Sequence, residues 1–487
     1  MLNYSLEQVK ALSQQYNLIG LTEMCYADTH TPISIFQKLS KQAHCFLLES
    51  VEGNQDRARY SFIGRNPFLT FIHREGNTTI EHADGTVEQT TGNPVMQLKQ
   101  LMEKYRVAPL DQQLRFTGGA VGYFGYDLIR HYEHLPNVPY DDLQLPEAHF
   151  MLCDEVIVFD HVKQKILIIV HLHTEQIIDQ AYEKACERIE AIKNELAQPL
   201  ETPKLLPKGK FTLKSNVSKD EFCAMVNKAK QYIKDGDIFQ VVLSQRLTIQ
   251  TDLDPLKVYR ALRIINPSPY MYYLKFDDYA LVGASPEMLV RVTDGVVRTC
   301  PIAGTKPRGK DEQEDAQIAA ALLADEKEIA EHNMLVDLGR NDIGKVSKFG
   351  TVEVTDYKHI EKYSHVMHVV TNVKGTLAEG KDAYDALMAV MPAGTLSGAP
   401  KVRAMEIIDE LENVKRGCYG GAIGYIGFDG SLDSCITIRT VVFKNGTAYL
   451  QAGAGIVADS IPASEYEETL SKANALLKAL EEAGDIA

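Results

Sequence analysis

Residues 419–457 read YGGAIGYIGFDGSLDSCITIRTVVFKNGTAYLQAGAGIV. Three strand-like runs follow one another here with no helix between them. That order favours an α+β protein with antiparallel sheets over a strictly alternating parallel α/β fold. Upstream, HCFLLESV (44–51), ARYSFIG (58–64) and FLTFIH (68–73) read as short strands between turn signals. MLCDEVIVFD (151–160) and KILIIVHL (165–172) read as a strand pair joined at HVKQ, and helical spacing predicts a helix over 175–196. DIFQVVLSQRLTIQ (237–250) reads as a further strand.

Between these halves lies QPLETPKLLPKGKFTLKSN (198–216), with three prolines and no long amphipathic pattern. It predicts a linker between an N-terminal region, 1–197, and a second region, 217–487. Ser218 with Glu221 three residues on predicts a capped helix start. No fixed repeat period runs through the remainder, which excludes a solenoid or propeller.

The chain has 487 residues, with 51 Lys and Arg against 66 Asp and Glu, a net charge of −15. Its hydrophobic share of 45% excludes a disordered chain, and its length excludes a small disulfide scaffold. The acidic balance argues against nucleic acid or an anionic membrane as partner, because both need clustered Lys and Arg. Eight scattered cysteines show no CxxC spacing and read as reduced thiols. MLNYSLEQVKALSQQ has no apolar h-region and is not Arg-rich, and no run approaches the roughly 20 apolar residues that span a bilayer. The expectation is a cytoplasmic protein.

Two carboxylate pairs carry chemical interest. Glu328 and Glu331 lie three apart in DEKEIAEHNMLVDL, and Glu465 with Glu468 repeats the spacing in SIPASEYEETLSKANALLKAL. Residues at i and i+3 share a helix face. Two such faces opposed would gather four carboxylates, and a cation such as Mg²⁺ would relieve their repulsion. Solvated acidic first turns on dipole-stabilised helices account for the same spacing, and more commonly. PIAGTKPRG (301–309), PAGTLSGAPK (392–401) and QAGAGIV (451–457) are Gly-rich turns able to bring backbone N–H groups to a small anion. None is a nucleotide-binding fingerprint. His368, near His365 in KYSHVMHVV, reads either as a packed core residue or as a general acid or base. Glu287 in GASPEML follows a proline, and a dry pocket would raise its pKa and let it donate a proton.

The ordered set GASPE, PIAGT, DEKEIAEHNMLVDLGRNDIG, YSHVMH, GTLSGAPK, YGGAIGY, IRT, QAGAGIV and SEYEETLSKA resembles the chorismate-utilising enzymes over about 210–480. With LLES (47–50) and NPSPYM (266–271), the whole chain resembles the anthranilate synthase component I branch of that family. The resemblance implies antiparallel sheets packed in a sandwich and flanked by helices. It implies chorismate as substrate and Mg²⁺ as cofactor, with Glu331 and Glu468 as ligands supported by Glu328 and Glu465. Gly304, Thr305, Thr395, Tyr419, Arg439, Gly453, Ala454, Gly455 and Lys472 match substrate-contacting positions. Glu287 matches the general acid for the departing C4 hydroxyl, and His368 matches the step that loses pyruvate.

Two positions separate sibling activities. Aminodeoxychorismate synthases typically carry Lys where this chain has Ala303, and alanine offers no amine for covalent attack. Gln240 stands where isochorismate and salicylate synthases carry a water-activating Lys, so an already nucleophilic ammonia fits better. Ser50, Pro269, Tyr270 and Met271, with Glu49 nearby, match a site for L-tryptophan as feedback inhibitor, and structural packing explains the same motifs. The synthase pattern occupies the chain, so a separate glutamine amidotransferase subunit is expected to deliver ammonia. From a different class, a non-catalytic tryptophan-sensing or partner-binding protein on the same fold is the competing expectation.

Overall fold

The computed structural model describes residues 2–51, 59–110, 114–200, 211–363 and 366–486. His365 and most of the expected linker lie outside the described residues. Two twelve-stranded sheets organise the rest, and every pairing between named strands is antiparallel.

The first sheet runs from strand Leu18–Tyr26 through Lys165–His173, Glu155–Asp160, Tyr60–Arg65 and Cys45–Glu49. It continues through Tyr270–Lys275, Tyr279–Ser285, Thr440–Lys444 and Thr447–Ile456 to Gln240–Gln250 and Lys214–Ser215. The second sheet starts at Ile302–Pro307 and passes through Val366–Thr376, Val296–Thr299, Met288–Thr293, Leu432–Ile436 and Ala422–Gly427. It ends with Gly119–Phe124, Ala148–Cys153, Leu69–Arg74, Asn77–His82 and Val87–Thr91.

Side-chain alternation explains the layering. In Cys45–Glu49, Cys45 and Leu47 turn to a helix-covered core, while Phe46 turns to a second core between the sheets. That inter-sheet core takes Phe62, Leu167, Tyr272 and Leu281 from one sheet and Val121, Met151, Ile423 and Tyr425 from the other. Burying each large apolar side chain contributes roughly 1.5–3 kcal/mol, so both faces of such strands must be covered. Helices Pro32–Leu39, Ile178–Leu196, Pro255–Ile265 and Pro462–Glu482 cover the first sheet, and Pro94–Met102, Glu326–Gly344 and Ala383–Val390 the second. The α+β sandwich with flanking helices is therefore present. Among the described residues no helix is long and apolar enough to cross a membrane, and all eight cysteines are free thiols.

Three expectations change. SCITIRTVVFKNG is not one strand: Leu432–Ile436 belongs to the second sheet and Thr440–Lys444 to the first, with Arg439 at φ +50° in the break between them. MLCDEVIVFD is not one strand: Ala148–Cys153 belongs to the second sheet and Glu155–Asp160 to the first. Asp154 marks the corner, its buried carboxylate accepting hydrogen bonds from Arg188 at 2.9 and 3.1 Å. Nor do 1–197 and 217–487 form separate cores. Each sheet joins a block of strands from the first region to a block from the second at a single pairing, with Leu48 opposite Tyr272 in one sheet and Gly122 opposite Gly424 in the other, and the cores take side chains from both blocks. The Pro-rich stretch divides the sequence, but both sheets hydrogen-bond across that division. The capped helix forms as read, over Lys219–Lys234 with the Ser218–Glu221 capping box complete.

Candidate active site

A cavity of about 910 Å³ opens where helices Glu326–Gly344 and Pro462–Glu482 face each other across the strand ends. Glu328, Glu331, Glu465 and Glu468 all line it, with Glu287, Gly304, Thr305, His368, Thr395, Tyr419, Arg439, Gly453, Gly455, Lys472 and Gln240. Residues scattered from 240 to 472 in sequence thus converge on one space.

Glu287 sits just beyond strand Tyr279–Ser285, after Pro286. Burial pushes its carboxyl up to about 7, against the opposing pull of the Thr395 hydrogen bond and the Arg439 and Lys472 charges. The Thr395 hydroxyl donates to Glu287 Oε1 at 3.1 Å and fixes its orientation. A carboxyl in this state holds a proton near neutral pH and can give it up.

His368 lies on strand Val366–Thr376 beside a β-bulge, where the pairing slips between Ala303 and Thr305. Gly304 is the extra residue, with φ +67°, and a Cβ there would lie 2.9 Å from Leu322 Cδ1 and 3.2 Å from Glu328 Oε2. The bulge aims its carbonyl at the imidazole, and His368 Nδ1 donates to it at 3.0 Å. The Thr305 hydroxyl is 3.1 Å from the same nitrogen. Donation from Nδ1 leaves the lone pair on Nε2. Burial lowers the imidazole pKa, so the ring is neutral and ready to accept a proton.

Besides Glu287, the cavity carries four carboxylates against the three cations Lys327, Arg439 and Lys472. Burial raises the Glu331 carboxyl first, and its neighbour Glu328 and Glu468 across the cavity add to this. Burial likewise raises Glu465, with Glu468 adding to it. Such oxygens suit a hard divalent cation that keeps water ligands. Among the described residues no three of the four helix carboxylates bring oxygens within 4.8 Å of one another, so bound water or substrate oxygens would complete a coordination shell. Lys472 is held in place by Glu468 at 2.7 Å and by the Gly453 carbonyl at 2.9 Å. Arg439 has no ion pair among the described residues, although burial disfavours its charge. An unpaired guanidinium in a dry wall is a receptor for a carboxylate. At Gly453 a Cβ would stand 2.9 Å from the Tyr419 hydroxyl, so only glycine leaves this floor open.

Ala454 departs from expectation. Strand alternation turns its methyl into the core with Val241, Leu243 and Ile456, away from the cavity that Gly453 and Gly455 line. The reading by residues also missed Lys327 and Gln451. Gln451 was findable, since it shares a strand face with Gly453 and Gly455; Lys327 has no such signal.

A model of the chorismate binding enzymes matches residues 43–478. The chain belongs to this family. Anthranilate synthase component 1 of Acetivibrio thermocellus is 60% identical over 99% of both chains. That of Aquifex aeolicus is 46% identical over 99% of this chain and 98% of its own. The crystal structure of anthranilate synthase component I from Streptococcus pneumoniae superposes with a TM-score of 0.76 at 41% identity, covering 86% of this chain and 92% of that one. The menaquinone-specific isochorismate synthase of Escherichia coli shares the family fold, with a TM-score of 0.73 at 18% identity over 98% of both chains.

A second, smaller cavity of about 90 Å³ lies between the sheets and is lined by Glu49, Ser50, Pro269, Tyr270 and Met271 together with Leu48, Met288, Tyr425 and Cys435. The Glu49 carboxylate is engaged by Tyr259 at 2.6 Å, Arg263 at 3.1 Å and Ser61 at 3.1 Å. Tyr270 donates to Asp433 at 2.9 Å, and Arg291 holds the other Asp433 oxygen at 2.8 Å. Neither Arg291 nor Asp433 was visible as a site residue, because only the sheet pairing brings them beside Tyr270.

Proposed function

We propose that this chain is the chorismate-aminating subunit of an anthranilate synthase, converting chorismate and ammonia into anthranilate, pyruvate and water. The observation that carries the reading is one cavity holding a protonated Glu287, a neutral His368 and two opposed glutamate pairs, with Ala303 and Gln240 at the positions that distinguish sibling activities. Full-length relatives named anthranilate synthase component 1 support it.

Ammonia adds to the ring at C2 while the C4 hydroxyl leaves and the double bond shifts. Glu287 gives its proton to that hydroxyl, which departs as water. His368 Nε2 then takes the C2 proton, and the enolpyruvyl ether leaves as pyruvate once its methylene carbon gains a proton. Arg439 and Lys472 suit substrate carboxylates, and Gln240, lacking a basic amine, does not prepare water for attack. Glu331 and Glu468 would hold Mg²⁺, with Glu328 and Glu465 behind them. Bound there, the ion would offset the acidic excess and screen a substrate carboxylate.

The ammonia would come from a glutamine amidotransferase subunit, the counterpart that the name component 1 presupposes. The smaller cavity would bind L-tryptophan as a feedback inhibitor. At about 90 Å³ it is below the ~150 Å³ that admits a benzene-sized guest, so an indole must enlarge it. Pro286 and Ile302 line both cavities, so enlargement of one displaces walls of the other. This supplies the differential affinity that inhibition requires.

The test is a product assay on the purified chain with chorismate, Mg²⁺ and ammonium at alkaline pH. Anthranilate and pyruvate in equal amounts, lost on chelation, are expected. An aminated ring retaining its enolpyruvyl group, isochorismate, or no turnover by folded protein would overturn the reading.

A further inference from the structure

Away from both cavities, three potential metal ligands meet at one end of the second sheet. His73 lies near the end of strand Leu69–Arg74, His131 closes the 3-10 turn Tyr126–His131, and Glu147 immediately precedes strand Ala148–Cys153. Their ligand atoms all fall within 4.8 Å of one another, the one such trio among the described residues. Glu147 Oε2 is 3.1 Å from His131 Nε2 and 3.7 Å from His73 Nε2. Ligands on a tetrahedral ion with bonds of about 2.0–2.1 Å stand about 3.3 Å apart, between these two values.

The decisive atom is His73 Nε2. The His73 side chain is 0% exposed, and this nitrogen has no hydrogen-bond partner. A relay behind the ring sets its tautomer. Gln97 Nε2 donates to Thr90 at 3.4 Å, which turns Gln97 Oε1 toward Thr78. The Thr78 hydroxyl donates to that oxygen. Its lone pair therefore accepts from His73 Nδ1, 2.7 Å away. The remaining lone pair, on Nε2, points at a carboxylate oxygen, so two acceptors face each other with nothing between them. Metal-bound histidines characteristically donate their second nitrogen in this way.

We infer that His73, His131 and Glu147 form a binding site for a divalent transition ion of the zinc class, with water in the fourth position. The ligand set of two imidazoles and one carboxylate favours zinc over magnesium, which prefers oxygen. His131 is 22% and Glu147 19% exposed, which leaves an approach from solvent. The site ties the 3-10 turn to two strands of the sheet. That turn also carries Asp127 and Arg130, and Arg130 donates to Asp409 on helix Lys401–Leu411 at 2.8 Å. The ion's role is therefore to fasten a connection, apart from the proposed reaction.

The experiment uses the full chain, stripped with chelator and held in excess Mg²⁺ to occupy the acidic cavity. It is titrated with Co²⁺ and then Zn²⁺. Expected are visible absorption of tetrahedral Co²⁺, its displacement by about one equivalent of Zn²⁺, and loss of both in Glu147→Gln and in His131→Asn. Thr78→Val removes only the relay and is expected to weaken Zn²⁺ binding about tenfold. Circular dichroism establishes that each variant is folded, and the exposed His131 position guards against a misfolded Glu147 variant. Absence of Zn²⁺ binding, unchanged binding in folded variants, or a thiolate charge-transfer band placing Co²⁺ on cysteine would each overturn the assignment.

Discussion

The two cavities share walls but have opposite chemistry. The larger is polar, with ten times the volume and carboxylates in excess of cations. The smaller is lined by tyrosines, methionines and aliphatic groups, and its charged neighbours are already paired, Arg291 with Asp433 and Arg263 with Glu49. Arg439, without an ion pair among the described residues, and Glu287, whose carboxyl burial pushes up to about 7, are the features that support the proposed anion-binding role. Satisfied charge around an apolar gap marks a place built for a neutral ring. Charge left unsatisfied is costly in a folded protein, so where it persists it is the better guide to chemistry.

The sharpest test of this contrast is Glu287→Gln. It should lower kcat about 10²–10⁴-fold, because an amide cannot release the proton, while calorimetric tryptophan binding stays unchanged. Loss of both would show that the cavities are not separable. The converse variant, Ser50→Val, narrows the small cavity without a ring that would force it to enlarge. The tryptophan concentration for half inhibition should rise at least about tenfold, equivalent to about 1.4 kcal/mol, with uninhibited kcat preserved. A milder effect is expected on Mg²⁺. Glu465→Gln, which removes a supporting carboxylate, should raise the Mg²⁺ concentration for half-maximal rate by roughly tenfold in a chelator-buffered titration.

The smallest effect is on pH. Glu287 works as an acid only while protonated, so kcat/KM at fixed free ammonia should fall as pH rises through about 7. The sign follows from a raised carboxyl pKa: the active form is populated below that value and lost above it. Glu287→Gln should abolish this limb, and a persisting limb would assign it to another group.

Much of the sandwich was legible because local signals agreed with the global fold. In 419–457 the first and last runs are strands, whereas the middle run breaks at 437–439, its two halves forming hairpins with the first and last runs in different sheets, and Ser218 caps its helix with Glu221. The glutamate pairs were legible as helix faces, but that the faces oppose each other depends on how two distant helices pack. Ala454 was misplaced because a motif names consecutive residues whereas a strand presents alternate ones. The corner at Asp154 was hidden because an apolar strand reads the same whichever sheet receives it. His73, His131 and Glu147 have no spacing to betray them; strand pairing alone makes them neighbours.

The joining of an early block of strands to a late block in each sheet also sets a timetable for synthesis. Strand Cys45–Glu49 has to wait for Tyr270–Lys275, and Tyr279–Ser285 for Thr440–Lys444. A ribosome-bound chain therefore carries apolar strands with open edges through most of its elongation, with their partners still untranslated. Pairings so distant in sequence fold slowly and leave those edges available to other chains. Truncation before residue 440 should therefore yield aggregation-prone fragments, even where the N-terminal strands are intact.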